Sequence, residues 1–218
     1  MVNLKRIVRE ETERVLKEAM GNDFSFKELS SKGTFSEMME YAEEHLGEPE
    51  GKGSSRAVFM LNDHLCLKVA MNRFGEEQNR KEWERADPKY DVLTRVHGHD
   101  SEFGYIVSEY ALPLESDDIE KILGISQFEF SSFVNTLIQL RNGWKIPPEQ
   151  MQTIQTLITK GDKLYWQMYD YIWHSDEDTG DISEPDNLGI VNRNGETQVV
   201  ILDSGFSEEL WQKMYGRN

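Results

Sequence analysis

Two short apolar runs separated by a polar turn constrain the fold of this chain more than any other feature. Residues 56–61 (RAVFML) and 65–70 (LCLKVA) have strand-like composition, and Asn62-Asp63 lies between them. This spacing predicts an antiparallel β-hairpin. Lys68 stands inside the second run. Because an unpaired buried ammonium group is costly, Lys68 needs either an anionic partner or an edge position from which its side chain reaches solvent.

The remaining patterns divide the chain into a strand-rich part and a helical part. Residues 105–110 (YIVSEY) predict a third strand, whereas residues 3–20, 35–46 and 76–85 have helical patterns. Helical patterns dominate from residue 117 to 175, and Asn194-Gly195 predicts a tight hairpin turn near the end of the chain. We therefore predict an α+β fold. It comprises an N-terminal helical extension (1–47), a small antiparallel-sheet lobe (48–111) and a reduced helical lobe (112–218).

The overall charge limits the classes of partner. The chain has 218 residues, 40 acidic against 24 basic, and a formal net charge of −16. Such a surface repels nucleic-acid phosphates and anionic lipids, so we expect neither nucleic acid nor a membrane as partner. One cysteine, the absence of any long apolar run and a charged N-terminal stretch favour a cytoplasmic protein.

A glycine-rich loop precedes the predicted hairpin. Gly51 and Gly53 would let backbone N–H groups approach an anion, and Ser54 and Ser55 would add hydroxyl donors. A simple surface turn is the alternative explanation for such a loop. The strand with Lys68 that follows the loop favours binding of phosphate groups.

Two acidic residues of the next helix are candidate partners of Lys68. We favour Glu82 over Glu84, because Glu84 and Arg85 resemble a solvent-facing pair. The period of two along a strand also places Cys66 on the same face as Lys68. A small buried hydrophobic residue is the alternative role for Cys66.

Asn187 and Asp203 carry the oxygen ligands that Mg²⁺ prefers. Asp203 ends an apolar run, where a carboxylate at the mouth of a buried strand could hold a metal. The alternatives are an Asx-turn for Asn187 and a helix cap for Asp203. No pair of histidines has convincing ligand spacing, so we expect structural or solvated roles, in polar loops or on helices, for His45, His64, His97, His99 and His174.

In this order the motifs resemble those of the protein-kinase-like superfamily. Gly51-x-Gly53-x-x-Arg56-x-Val58 resembles its glycine loop, with Arg56 in place of the third glycine. Lys68 and Glu82 take the places of the strand lysine and its helix glutamate. The family's hinge is resembled by Val107-Ser108-Glu109-Tyr110-Ala111, and the end of its catalytic loop by Pro185-Asp186-Asn187. Its metal-binding turn is resembled by Asp203-Ser204-Gly205. A further segment resembles small kinase-like proteins of bacteria and phages: Ala70-x-Asn72-x-x-Gly75-x-x-Gln78-Asn79-x-x-Glu82.

The resemblance implies a two-lobed fold that binds ATP and Mg²⁺. Adenine would contact Val58 and Cys66 and the backbone at Glu109 and Ala111. The phosphates would lie between Lys68 and the metal ligands Asn187 and Asp203.

Departures from the family pattern keep two functions open. The position five residues before Asn187, where the family has its catalytic aspartate, holds Ile182, and Asp181 comes one position too early. Asp181 can act as general base if the loop bulges by one residue, with Asp186 as second choice, and Glu184 replaces the loop lysine. Twelve residues follow Phe206, so we expect no activation segment.

We therefore predict a minimal phosphotransferase or nucleotidyl transferase acting on an unknown protein or small-molecule acceptor. The alternatives are a kinase-like pseudoenzyme that regulates a partner protein and a structural domain with chance motif matches.

Overall fold

A computed structural model describes residues 24–87, 89–159, 163–174, 182 and 184–205. The predicted helix at residues 3–20 lies outside these residues. The chain is α+β, with a five-stranded antiparallel sheet, a three-stranded antiparallel sheet and several helices. It divides into two compact units. Unit 1 takes its residues from Met1–Ala86 and Arg95–Tyr110, and unit 2 from Asp87–Thr94 and Ala111–Asn218.

Unit 1 contains the predicted hairpin in the middle of its sheet. Its helices are α1 (Phe26–Ser30), α2 (Phe35–Leu46) and α3 (Arg73–Arg85), and its strands are β1 (Gly51–Lys52), β2 (Arg56–Asn62), β3 (Leu65–Ala70), β4 (Val96–His99) and β5 (Tyr105–Glu109). The strand order is β1-β2-β3-β5-β4, and each adjacent pair is antiparallel. The three strands predicted from the sequence are therefore confirmed as neighbours in one sheet.

The two faces of this sheet differ in chemistry. One face packs against α1 and α2 in a hydrophobic core that includes Phe59, Leu67 and Val107. Because side chains alternate along a strand, Lys68 points to the other face, where Val58 and Ile106 are its cross-strand partners. The helix α3 carries the ion-pair partner of Lys68 and covers this second face.

Local sequence explains where the helices of unit 1 begin. Thr34 and Asn72 cap α2 and α3, and the Asn72 side chain accepts hydrogen bonds from the N–H groups of Phe74 and Gly75. Helix α3 therefore starts three residues before the predicted start at residue 76. His97 and His99, which are predicted to lie in polar loops or at helix ends, lie in the edge strand β4 instead.

Unit 2 is a helical core with a β-hairpin. Its elements are β6 (Leu112–Pro113), α4 (Ser116–Leu123), α5 (Gln127–Arg141), α6 (Pro148–Thr159), α7 (Lys163–His174), β7 (Leu188–Arg193) and β8 (Glu196–Ile201). The predicted turn is present: Asn194 and Gly195 both have positive φ, 56° and 82°. Within the described part of the chain no helix has the length and apolar character needed to span a membrane.

Residues 87–94, which are predicted to belong to the sheet lobe, are part of unit 2 instead. The Arg193 guanidinium donates to the backbone carbonyls of Asp91 and Leu93 at 2.6 and 2.7 Å. The Ile201 N–H donates to the Val92 carbonyl at 2.7 Å. These bonds tie the segment to the β7–β8 hairpin, which follows it by about a hundred residues of sequence.

Candidate functional site

A buried ion pair joins the central strand of unit 1 to α3. The Lys68 ammonium nitrogen lies 2.6 Å from Glu82 Oε1, and the two residues are 6% and 0% exposed. The predicted pairing of Lys68 with Glu82 is thus present. The alternative, Glu84, has a half-exposed side chain and pairs with Lys81 instead.

Arg56 binds the second oxygen of the same carboxylate. Its Nη1 lies 2.8 Å from Glu82 Oε2 and donates to Asn79 Oδ1 at 3.1 Å. Arg56 is buried on β2, next to β3 in the sheet. Two buried cations that share one carboxylate must each bind it at short distance. The free-energy cost of removing the charged groups from water would otherwise exceed their attraction to the carboxylate. We call Arg56, Lys68 and Glu82 the buried triad.

One face of α3 carries the groups that hold the triad. Its buried residues recur at helical spacing and form a polar stripe made of Gly75, Gln78, Asn79 and Glu82. Gln78 accepts a hydrogen bond from the Ser55 hydroxyl. A Cβ at Gly75 would overlap the Ser55 carbonyl oxygen and lie 3.0 Å from Ala70 Cα. The polar stripe therefore depends on glycine for the close approach of α3 to the sheet.

The β4–β5 turn supports the same stripe from the other side. The Asn79 amide donates to the Phe103 carbonyl at 2.9 Å. Phe103 has φ of 60°, a left-handed conformation that is uncommon for a bulky residue. Its ring stacks on His99 with centroids 4.4 Å apart, and the Arg80 guanidinium lies over it at 5.5 Å. These contacts hold the turn in the conformation that offers its carbonyl to Asn79.

The predicted glycine loop forms the first turn of the sheet. Gly51 belongs to β1, and the Gly53 N–H donates to the Arg56 carbonyl at 2.9 Å. Ser54 is exposed, and its carbonyl accepts a hydrogen bond from Asn72 at 3.1 Å. Ser55 is buried, and its hydroxyl faces Gln78. The Ser55 side chain therefore anchors the loop to α3, and its contact with a phosphate stays a prediction.

Val58 and Cys66 lie on the Lys68 face, as the period of two predicts. Cys66 is buried, and this burial raises the pKa of its thiol to about 11, although the Lys68 charge opposes part of the rise. Such a thiol is almost fully protonated at neutral pH and is a weak nucleophile. Cys66 is therefore suited to apolar contact and not to covalent chemistry.

The two predicted hinge residues fall in different units. Glu109 ends β5 in unit 1, where its N–H donates to the Arg95 carbonyl at 2.7 Å. The Glu109 carbonyl faces the Cys66 thiol at 3.9 Å. Ala111 is buried in unit 2 in a small cluster with Val191 and Val200. Contact of either residue with adenine stays a prediction.

In unit 2 the β7–β8 register brings the predicted metal ligands to one end of the hairpin. Asn187 ends a short 3₁₀-helix (Pro185–Asn187), and its carbonyl accepts from the Leu202 N–H at 2.9 Å. Asp203 follows directly, and its Oδ1 accepts from the Gly205 N–H at 3.1 Å. Among the described residues no group of three or more His, Cys, Asp or Glu side chains is arranged around a common metal position. A Mg²⁺ ion bound by Asn187 and Asp203 would take its remaining ligands from water and phosphate oxygens, as Mg²⁺ usually does.

The residues near the predicted general base differ in environment. Ile182 is 1% exposed and belongs to the hydrophobic core of unit 2. Asp186, the second choice as base, is exposed, and Asp181 lies outside the described residues.

The sequence motifs include Arg56, Gln78 and Asn79 but predict no contact for any of these three side chains. The helical spacing of the polar stripe is the signal that could have identified the last two. No family model matches this sequence, and no curated protein matches it. The kinase-like resemblance therefore rests on the sequence motifs alone.

Proposed function

We propose that this protein binds a nucleoside triphosphate through Lys68 and, with Mg²⁺, transfers a phosphoryl or nucleotidyl group to an acceptor. The observation that carries the proposal is the buried ion pair between Lys68 and Glu82, 2.6 Å long, on an antiparallel sheet. A two-lobed kinase-like fold is part of the same proposal. Phosphoryl transfer depends mainly on positioning and on neutralisation of phosphate charge, and a lysine held by a helix carboxylate supplies both.

The surroundings of Lys68 support an anionic ligand. Arg56 adds a second buried cation beside the same carboxylate, and this concentration of positive charge contrasts with the net charge of −16. Gly51 and Gly53 lack positive φ, and a Cβ at either position would clash with nothing in the described structure. A ligand that approaches the loop backbone closely would account for both glycines.

Asn187 and Asp203 would hold Mg²⁺, which would neutralise charge on the transferred phosphate. Asp181 would act as general base and accept the proton of the acceptor hydroxyl. Lys68 would bind phosphate oxygens, and Glu82 and Arg56 would hold its ammonium group in place.

A kinase-like pseudoenzyme is the second candidate, and the burial of Ile182 favours it. The residue that takes the place of the family's catalytic aspartate lies in the core of unit 2. A protein with Lys68 intact and this position apolar would bind nucleotide without turnover and act on a partner protein.

Thermal shift and turnover measured together test the proposal. With ATP and Mg²⁺ at about one hundred times the dissociation constant, we expect a rise in melting temperature of roughly 5–10 °C. Lys68→Met should remove this rise, whereas Lys27→Met, which changes an exposed lysine of α1, should keep it. ATP labelled at the α- or the γ-phosphate, incubated with protein and small-molecule acceptors, distinguishes nucleotidyl from phosphoryl transfer.

Two further variants separate the candidates. Asp181→Asn should abolish transfer and leave the ATP-dependent rise nearly unchanged, while Asp203→Asn should also weaken the Mg²⁺-dependent part of binding. Full transfer by Asp181→Asn would refute the assignment of the base. Nucleotide binding without transfer by the unmodified protein would establish the pseudoenzyme, and no binding at all would refute both.

A further inference from the structure

Three aromatic side chains form a stacked row on the outer face of α7. Trp166 and Tyr169 have ring centroids 5.6 Å apart, and Tyr169 and Trp173 are 5.8 Å apart, with interplanar angles of 25° and 19°. Trp166 is 53% exposed and Trp173 is 42% exposed. We call Trp166, Tyr169 and Trp173 the aromatic ladder.

Two of the three ladder side chains, Trp166 and Trp173, lie outside the face that anchors α7. Tyr165, Met168 and Ile172 are buried in the core of unit 2 and provide the packing of this helix. Tyr169 is partly buried and packs against the edge of that core, whereas the Trp166 and Trp173 side chains are exposed. Large exposed aromatic residues are uncommon unless they contact a partner. Burial of α7 therefore does not explain the two tryptophans.

A carboxylate borders the ladder. Asp170 follows Tyr169 in the helix and is half-buried, and its Oδ1 lies 3.2 Å from Nδ1 of the exposed His174. The whole chain carries 40 acidic against 24 basic residues. Aromatic faces beside a carboxylate, in an acidic protein, are the set of groups that binds a planar cation.

We propose that the aromatic ladder is a docking surface for a basic, arginine-containing segment of a partner protein. A guanidinium group stacks on an indole face and binds a carboxylate in the same plane, which an ammonium group cannot do. Charge complementarity with the net charge of −16 selects a basic partner. The same charge opposes a second copy of this chain and a nucleic acid as occupants, since both are anionic. This surface is independent of the nucleotide chemistry proposed above.

The test uses the full chain and two fluorescent peptides of equal length, oligoarginine and oligolysine. Fluorescence anisotropy at fixed ionic strength should show tighter binding of oligoarginine, because both peptides share the general electrostatic attraction and only arginine stacks. Trp166→Ala and Trp173→Ala should each weaken oligoarginine binding on the order of two- to fivefold. Together they should abolish the preference for arginine. Trp144→Ala, at a residue 65% exposed and outside the ladder, is the matched control and should change nothing.

Two additional variants guard against effects on folding or on overall charge. Trp166→Leu keeps an apolar side chain on the helix but removes the ring, and should behave as Trp166→Ala. Asp170→Asn should weaken oligoarginine binding more than Glu48→Gln, which removes one charge from an exposed residue of unit 1. Equal affinity of the unmodified protein for both peptides would overturn the proposal. So would a preference that survives the double variant, or a dimer in sedimentation that dissociates when the ladder is changed.

Discussion

Glu82 holds two buried cations of unit 1, one with each carboxylate oxygen. Breaking a buried pair by removing one member is costly, because the remaining charge stays away from water without compensation. Here a single substitution would remove the carboxylate from both Arg56 and Lys68. The consequence should be visible in stability, without any ligand.

We expect Glu82→Gln to lower the free energy of unfolding by about 3–5 kcal/mol. Glu84→Gln is the matched control: its carboxylate is 54% exposed in an i,i+3 pair, and such pairs contribute at most about 1 kcal/mol. Urea denaturation followed by circular dichroism measures both. Equal stability of the two variants would show that the triad does not depend on the Glu82 charge.

At the scale of the element, α3 is held by contact with the sheet and not by helix propensity. Its first turn must pass close to β3 and to the loop before β2, which is possible because Gly75 has no side chain. The hydrogen bond from the Met71 N–H to the Ser55 carbonyl, 2.8 Å long, fixes the backbone that a larger residue would meet. Only with α3 this close to the sheet does Glu82 contact Arg56 and Lys68.

Gly75→Ala should therefore destabilise the protein by about 1–3 kcal/mol, although alanine is the better helix former by about 1 kcal/mol. Gly98→Ala is the control, because a Cβ at Gly98 would meet no atom within 4 Å and Gly98 has no positive φ. It should change the free energy of unfolding by less than about 1 kcal/mol. If Gly75→Ala increases the urea midpoint, the close approach of α3 does not limit stability.

At the scale of the whole molecule, the excess of negative charge opposes compaction. A net charge of −16 repels itself, and several ion pairs of the described residues are exposed and weak, among them Arg80–Glu77 and Lys89–Asp87. The buried triad is screened much less than these surface charges. Salt should therefore relieve repulsion more than it weakens attraction.

We expect the melting temperature to rise when ionic strength increases from about 10 mM to about 150 mM, because the Debye length falls from about 30 to about 8 Å. Differential scanning calorimetry in sodium chloride measures the rise. An equal rise in a second monovalent salt would distinguish screening from binding of one ion. A falling melting temperature would show that attractive surface pairs dominate the electrostatics.

The features that the sequence by itself determined are local. Strands β2 and β3 follow from period-two patterning, and the turn between them lies at Asp63-His64, one residue after the predicted Asn62-Asp63. The Asn62 side chain holds this turn, because it accepts hydrogen bonds from the N–H groups of His64 and Leu65. The Asn194-Gly195 turn follows in the same way from the tolerance of these residues for positive φ. The pairing of Lys68 with Glu82 was also within reach, because a buried lysine restricts its partners to the few carboxylates nearby.

The tertiary structure alone decided the contacts between distant segments. The role of Arg56 depends on the packing of α3 against the sheet, which brings Asn79 and Glu82 to its guanidinium group. The support of Asn79 depends on the Phe103 carbonyl, and a backbone carbonyl is present whatever the residue type. The assignment of residues 87–94 to unit 2 depends on Arg193, about a hundred residues further along the chain. These contacts follow from how elements pack in space, and the pattern of one segment carries no information on which distant segment will satisfy its polar groups.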